Sequence, residues 1–277
     1  MKRVLIVTDV HYCPQQEYGG ITRDEKLEIL LKQINDEYLK EPFEFILFLG
    51  DYSLDHWQWL TKGTWLTSGK SYTAEFVKKL CALLPTPYYM LPGNHEQYGK
   101  EKWKEITGFS RNMEVITDDY LFILWDSFGA DLDPTEHTDG TYTKIDIKRV
   151  RELMDKHPDK KVILCSHWFS PADTKEEKEL LCDPRIICLF VGHSHRSDVI
   201  ELSEEYGKKK VIQCGSWAAV SPEDDEHLWG VRDVCLFSDK LITRYLVAEN
   251  ELSQNGEKYT VLAHYRDGTE ICFENFS

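Results

Sequence analysis

Oxygen and imidazole donors recur in this chain at one kind of place, directly after an apolar run. The segment "VTDVH" carries Asp9 and His11, and "FLGDYS" carries Asp51. "LPGNHE" carries Asn94, His95 and Glu96, "LCSHW" carries His167, and "VGHSH" carries His193 and His195. Such side chains are poor core residues, because burying an amide, an imidazole or a carboxylate requires a hydrogen-bond or ion partner. Each motif alone reads as a turn or a helix N-cap. Five separated segments with the same donor types predict a metal centre. Carboxylate oxygen, amide oxygen and imidazole nitrogen, with no thiolate, suit Mn²⁺, Fe or Zn²⁺ rather than Ca²⁺ or an iron–sulfur cluster. The seven candidates Asp9, His11, Asp51, Asn94, His167, His193 and His195 exceed what one ion with an open position uses, so two divalent ions sharing a carboxylate are expected.

The elements that must position these donors are legible as apolar runs of strand length: "RVLIVTDV", "FEFILFLG", "YYMLPG", "YLFILWDS", "KKVILCSH", "IICLFVGH" and "KKVIQCGS". They are nearly continuous rather than alternating, so both faces of each strand should be covered. Helical spacing of Leu27, Leu30, Leu31 and Ile34 predicts a helix over 23–40. Phe76, Val77 and Leu80 predict one over 72–84, and Val150, Leu153 and Met154 one over 147–157. Strand–helix alternation with buried strands implies an α/β protein. In such sheets ligands bind beyond the carboxyl ends of the strands. From Val211 onward strands dominate, which predicts a second, largely antiparallel sheet packed on the first with helices outside. "RDGT" at 266–269 reads as a two-residue hairpin turn. The absence of repeats, low-complexity tracts and Gly/Ser linkers favours a single domain over 1–277, with the metal motifs in 9–195 and a mainly β part at 211–277.

Composition narrows the function. At 277 residues with 42% hydrophobic and 29% charged residues, the chain is that of a globular protein with a substantial core rather than a disordered one. A formal net charge of −15 argues against a broad nucleic-acid surface, since such affinity rests on clustered Lys and Arg. No apolar stretch approaches a membrane span, and the run after Met1-Lys2-Arg3 is broken by Asp9, as in a strand rather than a signal peptide. Eight cysteines without a C-x-x-C pair, several inside apolar runs, read as reduced core residues and predict a cytoplasmic protein.

In chain order the motifs D-x-H, G-D, G-N-H-(D/E), a lone His and G-H-x-H resemble the calcineurin-like metallophosphoesterase superfamily, over Asp9 to His195. The resemblance implies a four-layer α/β/β/α sandwich with two mixed β-sheets. It also implies that Asp9, His11 and His195 serve one metal, that Asn94, His167 and His193 serve the other, and that Asp51 bridges. The implied chemistry is hydrolysis of a phosphate ester by in-line attack of a hydroxide held between two ions. In that scheme His95 acts as acid toward the leaving oxygen, and Glu96 either orients or charge-stabilises His95 or is a surface carboxylate. Departures from the sub-family patterns bear on substrate. "GDYSLDHW" places Asp55 one residue late and without Arg-Gly, and Pro92 stands where serine/threonine phosphatases carry an arginine. Leu54 stands where purple acid phosphatases carry a tyrosine. "PGNHE" is more similar to the smaller bacterial phosphodiesterase-like members.

After Asp51 the segment "HWQWLTKGTWLTSGKSY" holds Trp57, Trp59, Trp65 and Tyr72, which either stack on a base or apolar leaving group or pack the loop onto the domain. Arg23, Lys62 and Arg196 are candidate phosphate contacts, while His137 and His227 lie in acidic loops and read as solvated. The expected partner is a small phosphate ester, with a lean to diesters. The alternatives are a monoesterase of the same fold, a nuclease, and a metal-binding scaffold without turnover. A scaffold would be free to lose Asp51, His95 or His193, and all three are present.

Overall fold

The structure, a computed structural model, describes residues 1–18, 21–57, 64–218, 229–252, 258–264 and 268–273. In chain order its elements begin with β1 (Lys2–Val7), the short pair β2 (Glu17–Tyr18) and β3 (Ile21–Thr22), α1 (Arg23–Lys40), β4 (Phe45–Leu49), α2 (Thr64–Ser68), α3 (Tyr72–Lys79) and β5 (Tyr88–Leu91). There follow α4 (Lys100–Thr107), β6 (Met113–Ile116), β7 (Tyr120–Leu124), α5 (Ile147–Lys156), β8 (Lys161–Ser166), α6 (Lys175–Leu181) and β9 (Ile186–Val191). The remaining strands are β10 (Ser197–Glu201), β11 (Lys210–Cys214), β12 (Gly230–Leu236), β13 (Lys240–Leu252), β14 (Lys258–His264) and β15 (Thr269–Cys272).

Two mixed sheets face each other. One runs β14-β13-β12-β1-β4-β5, with β15 also on β13, and the other runs β10-β11-β9-β8-β7-β6. Successive side chains of a strand point to opposite faces, and β1 shows what that does here. Val4 and Ile6 enter the layer between the sheets, with Leu47, Phe122, Ile163 and Phe190. Leu5 and Val7 point the other way, onto Leu27, Leu30 and Ile34 of α1 and Phe76 of α3. On the outer face of the second sheet Leu121, Leu164 and Leu189 meet Val150 and Met154 of α5 and Leu180 of α6. The result is the α/β/β/α order expected from the motifs, and it explains why the strands read as continuous apolar runs.

α1 occupies the 23–40 span that its periodicity predicts. Thr22 and Glu25 form a reciprocal capping box at its start, and the helix ends at Glu41, which is extended ahead of Pro42. The helix predicted over 72–84 stops at Lys79 and resumes only as a 3₁₀ turn, Cys81–Leu83. Helices α4 and α6 are too short for their periodicity to stand out in the sequence.

The expectation of a second sheet built from Val211 onward is overturned. β11 joins the β6–β10 strands, pairing parallel with β9, whereas β12 pairs antiparallel with β1 and carries β13 to β15 into the first sheet. Antiparallel pairing is local to hairpins, but which open edge a hairpin joins depends on burial that periodicity does not encode. The hairpin expected at "RDGT" also fails: β14 and β15 both pair with β13, at Leu246–Leu252 and Lys240–Thr243, and so lie end to end instead of side by side. Arg266 and Asp267 of that turn lie outside the described residues.

Phe122 is fully buried between the sheets, with its ring edge-on to Phe45 at 5.3 Å between centroids. Phe122→Ala is expected to cost about 3–5 kcal/mol in urea unfolding, while Leu39→Ala, at an 82% exposed position on α1, stays within about 0.5 kcal/mol of the parent.

Candidate metal centre

Strands β1, β4 and β5 are mutually parallel neighbours, as are β8 and β9. Their carboxyl ends carry Asp9, Asp51, Asn94, His167 and His193, each within three residues of the last strand position. The loops are bonded to one another: the amides of Asp9 and His11 donate to the carbonyls of Gly50 and Asp51, at 3.1 and 3.0 Å, and Gly192 donates to the carbonyl of His167 at 2.9 Å. Five candidate ligands have left-handed backbones, with φ of 52° at Asp9, 49° at His11, 56° at Asp51, 66° at His193 and 58° at His195. Among the described residues only Asp133 and Lys208 share that conformation without being glycine. It costs about 1–2 kcal/mol per residue and clusters where surrounding structure imposes it for function. Two glycines make the loops' approach possible. A Cβ on Gly93 would stand 2.1 Å from Asp51 Oδ1, and one on Gly192 2.1 Å from Thr8 Oγ1.

The donors converge on two carboxylates that are almost wholly buried. Asp51 Oδ2 lies 3.2 Å from His167 Nε2 and 3.4 Å from both His11 Nε2 and His95 Nε2. Asp9 Oδ1 lies 3.3 Å from His195 Nε2 and 3.7 Å from His11 Nε2. Asp9 Oδ2 is already satisfied by the Thr8 hydroxyl at 2.6 Å and the His193 amide at 3.0 Å. Its Oδ1 and both ring nitrogens of His11 are buried with no hydrogen-bond partner. Three sets of side chains can therefore each gather around an ion: Asp9, His11 and His195; His11, Asp51 and His95; and Asp51, His167 and His193.

The surroundings fit positive charge. The Nδ1 of His167 sits 2.6 Å from the carbonyl of Leu49, so this nitrogen carries a proton and Nε2 is the one that faces the cluster. The Asn94 amide oxygen is 3.1 Å from His167 Nε2 and 3.0 Å from His193 Nδ1. The same spot is 3.1 Å from Asp51 Oδ2, where the amide nitrogen bonds better without a cation. A cation reverses that preference and selects the oxygen. Without one, the balancing charge falls to His167: burial opposes its protonation, but Asp51 and Asp9 raise its pKa to about 9. Burial, aided by the neighbouring imidazoles against the pull of Asp51, holds His95 down to about 3.

Glu96 does not partner His95 as expected. Its carboxylate is buried and turned to backbone: Oε2 accepts the amides of Asp51 at 2.8 Å and Gly93 at 3.0 Å, and Oε1 those of Tyr52 at 3.0 Å and Ser53 at 3.1 Å. Burial and the Asp51 charge push its pKa up to about 8 against those donors. Four amide donors call for an ionised acceptor, so positive charge beside Asp51 is what this arrangement needs. Glu96 is the clamp that shapes the Asp51 loop.

The other expected contacts divide. Trp57 reaches the centre, with its ring 5.4 Å from that of His95. Arg23 is buried and donates to the Ala218 carbonyl at 2.9 Å, which places a guanidinium nitrogen on backbone and not at the carboxylates. Arg196 is exposed next to His195. Trp65 packs on Tyr98 and Tyr72 on Tyr12, the packing alternative for this segment. Asp55 accepts the amides of Tyr72 and Thr73, both at 3.0 Å, and anchors α3. Trp59, Lys62 and His227 lie outside the described residues; His137 is half-buried. Sequence reasoning missed Trp168 and Phe128, whose rings lie 5.0 and 5.6 Å from that of His193, and His56, whose Nδ1 is 3.1 Å from the His95 carbonyl. Adjacency to His167 signalled Trp168. Phe128 follows β7, whose end bears none of the candidate ligands.

The calcineurin-like phosphoesterase family model matches residues 2–197. A protein of Arcobacter nitrofigilis described as a probable glycerophosphodiester phosphodiesterase, GpdQ, is 22% identical over 213 residues, covering 70% of this chain and 71% of its own. Among solved structures, Vps29 of Chaetomium thermophilum is similar at 12% identity and a TM-score of 0.43, covering 99% of this chain and 98% of its own. A phosphoesterase-like protein of Streptococcus pneumoniae aligns at 10% identity and a TM-score of 0.43, covering 98% and 97%.

Glu96→Gln keeps the shape of the side chain but turns an NH₂ group toward two amide donors. Thermal unfolding should show a loss of about 1–3 kcal/mol, and Mn²⁺ titration should show weaker binding than in the parent. An unchanged midpoint and affinity would remove Glu96 from its role as clamp.

Proposed function

The chain belongs to the calcineurin-like phosphoesterase family, and from that premise we propose that it is a phosphoric ester hydrolase using two divalent metal ions, Mn²⁺, Fe or Zn²⁺, on a small phosphodiester. The observation that carries this reading is the convergence of Asp9 and Asp51, both buried, with five imidazoles and one amide at the same strand ends. Asp9, His11 and His195 would hold one ion and Asn94, His167 and His193 the other, with Asp51 between them. Ions held there would supply positive charge to a phosphoryl group and acidify a water molecule.

The chain's own residues then have separate tasks. Thr8 and the His193 amide orient Asp9 through one oxygen and leave the other to the cluster. Leu49 fixes the tautomer of His167. His95 is neutral in the free protein, because burial disfavours its charge. An anionic phosphoryl group beside it would raise its proton affinity, which favours His95 as the group that passes a proton to the leaving oxygen. Trp57 beside His95 and Trp168 beside His193 form aromatic walls suited to the second ester substituent of a diester. The name of the Arcobacter relative supports the same substrate class. Eight cysteines without a C-x-x-C pair, several inside apolar runs, favour a reducing, cytoplasmic setting. Among the described residues no helix is long and apolar enough to cross a membrane.

Bis-p-nitrophenyl phosphate and p-nitrophenyl phosphate offered side by side to Mn²⁺-loaded protein test the reading. Hydrolysis of the diester should exceed that of the monoester, vanish on metal removal, and fall about 10²–10⁴-fold in kcat with His95→Ala. Full metal occupancy with no hydrolysis of either ester would overturn it.

A further inference from the structure

A cavity of about 300 Å³ opens between the starts of α4 and α5 and the end of β7, and none of the candidate metal ligands lines it. Four cationic side chains border it, Lys100, Arg111, Lys144 and Arg149, against two carboxylates, Asp126 and Asp146. Both carboxylates are engaged: Asp126 accepts Arg111 Nε at 2.6 Å, and Asp146 caps α5 by accepting the Arg149 amide at 3.0 Å. Arg149 Nη2 also reaches Glu114 at 3.2 Å.

Donors are in excess. Arg111 is 4% exposed, and its Nη1 donates to the carbonyls of Glu96 and Tyr98, both at 2.8 Å, while its Nη2 has no partner. The indole Nε1 of Trp125, at 3% exposure, and the Nε of Arg149 are likewise without acceptors. A guanidinium cannot shed its proton, and an indole N–H can only donate. Leaving buried donors unmatched costs about 1–3 kcal/mol each. The cavity's donors therefore outnumber the acceptors that its two carboxylates supply.

We propose that this cavity is a binding site for a compact oxyanion, the carboxylate or phosphate group of a small metabolite, distinct from the metal centre. The unpartnered Nη2 of Arg111 can donate to one oxygen of such a group, with the guanidinium charge close beside it. Through Nη1 the same guanidinium holds the backbone that follows Asn94 and His95, so the occupant would sit one side chain away from the loop that carries them. The site stands whether or not the metal centre hydrolyses phosphate esters.

The test uses metal-free full-length protein dialysed free of chelator, titrated calorimetrically with inorganic phosphate and, separately, with malonate at constant ionic strength in chloride. Saturable binding of phosphate, malonate or both supports the site and names the oxyanion class it takes. Lys144→Ala/Arg149→Ala should weaken that binding at least tenfold while the thermal midpoint without ligand stays near that of the parent. Arg111→Lys, which keeps the charge and loses the free Nη2 donor, should weaken it as well. His193→Ala should leave it intact. Absence of saturable binding, or binding that survives the double variant and disappears with His193→Ala, would overturn the proposal.

Discussion

Two carboxylates, Asp9 and Asp51, are buried among imidazoles. An ionised carboxylate out of water must be repaid by nearby positive charge and hydrogen bonds, or it takes up a proton. Here the repayment is assembled from several loops at once. One oxygen of Asp9 is occupied by Thr8 and the His193 amide, one oxygen of Asp51 accepts the amide of His95 at 3.1 Å, and the other oxygen of each is left to the cluster. Much of the local structure follows from that demand, including the Glu96 clamp behind Asp51 and the left-handed residues that aim the ligands.

The sheets supply the geometry. Parallel neighbours deliver their carboxyl ends on one side, so β1, β4 and β5 from one sheet and β8 and β9 from the other empty their loops into a common space. Strained backbone at Asp9, His11, Asp51, His193 and His195 is tolerable because the loops bond to one another and sit on close-packed layers on both faces of each sheet. A cluster of donors from five loops has no local nucleus. It exists only when both sheets have docked.

Around this centre the environment is uneven. Aromatic rings border it at Trp57 on one side and at Phe128 and Trp168 on the other. Behind the Asn94–Tyr98 segment lies the donor-rich cavity held by Arg111.

The donor residues and the strands that carry them were legible in the sequence because both are local signals. A continuous apolar run marks a strand covered on both faces, and a polar residue directly after it marks the strand's end. The α1 helix was legible for the same reason, through the spacing of Leu27, Leu30, Leu31 and Ile34. Tertiary structure alone decided that β12 to β15 complete the first sheet and β11 the second, since edge choice rests on long-range burial. It also decided the tasks of two carboxylates that the sequence presents alike. Asp51 faces the imidazoles, whereas Glu96 is turned to four backbone amides. Residue type and spacing specify what a side chain is able to bind, but the direction it points depends on backbone that only the packed loops hold in place.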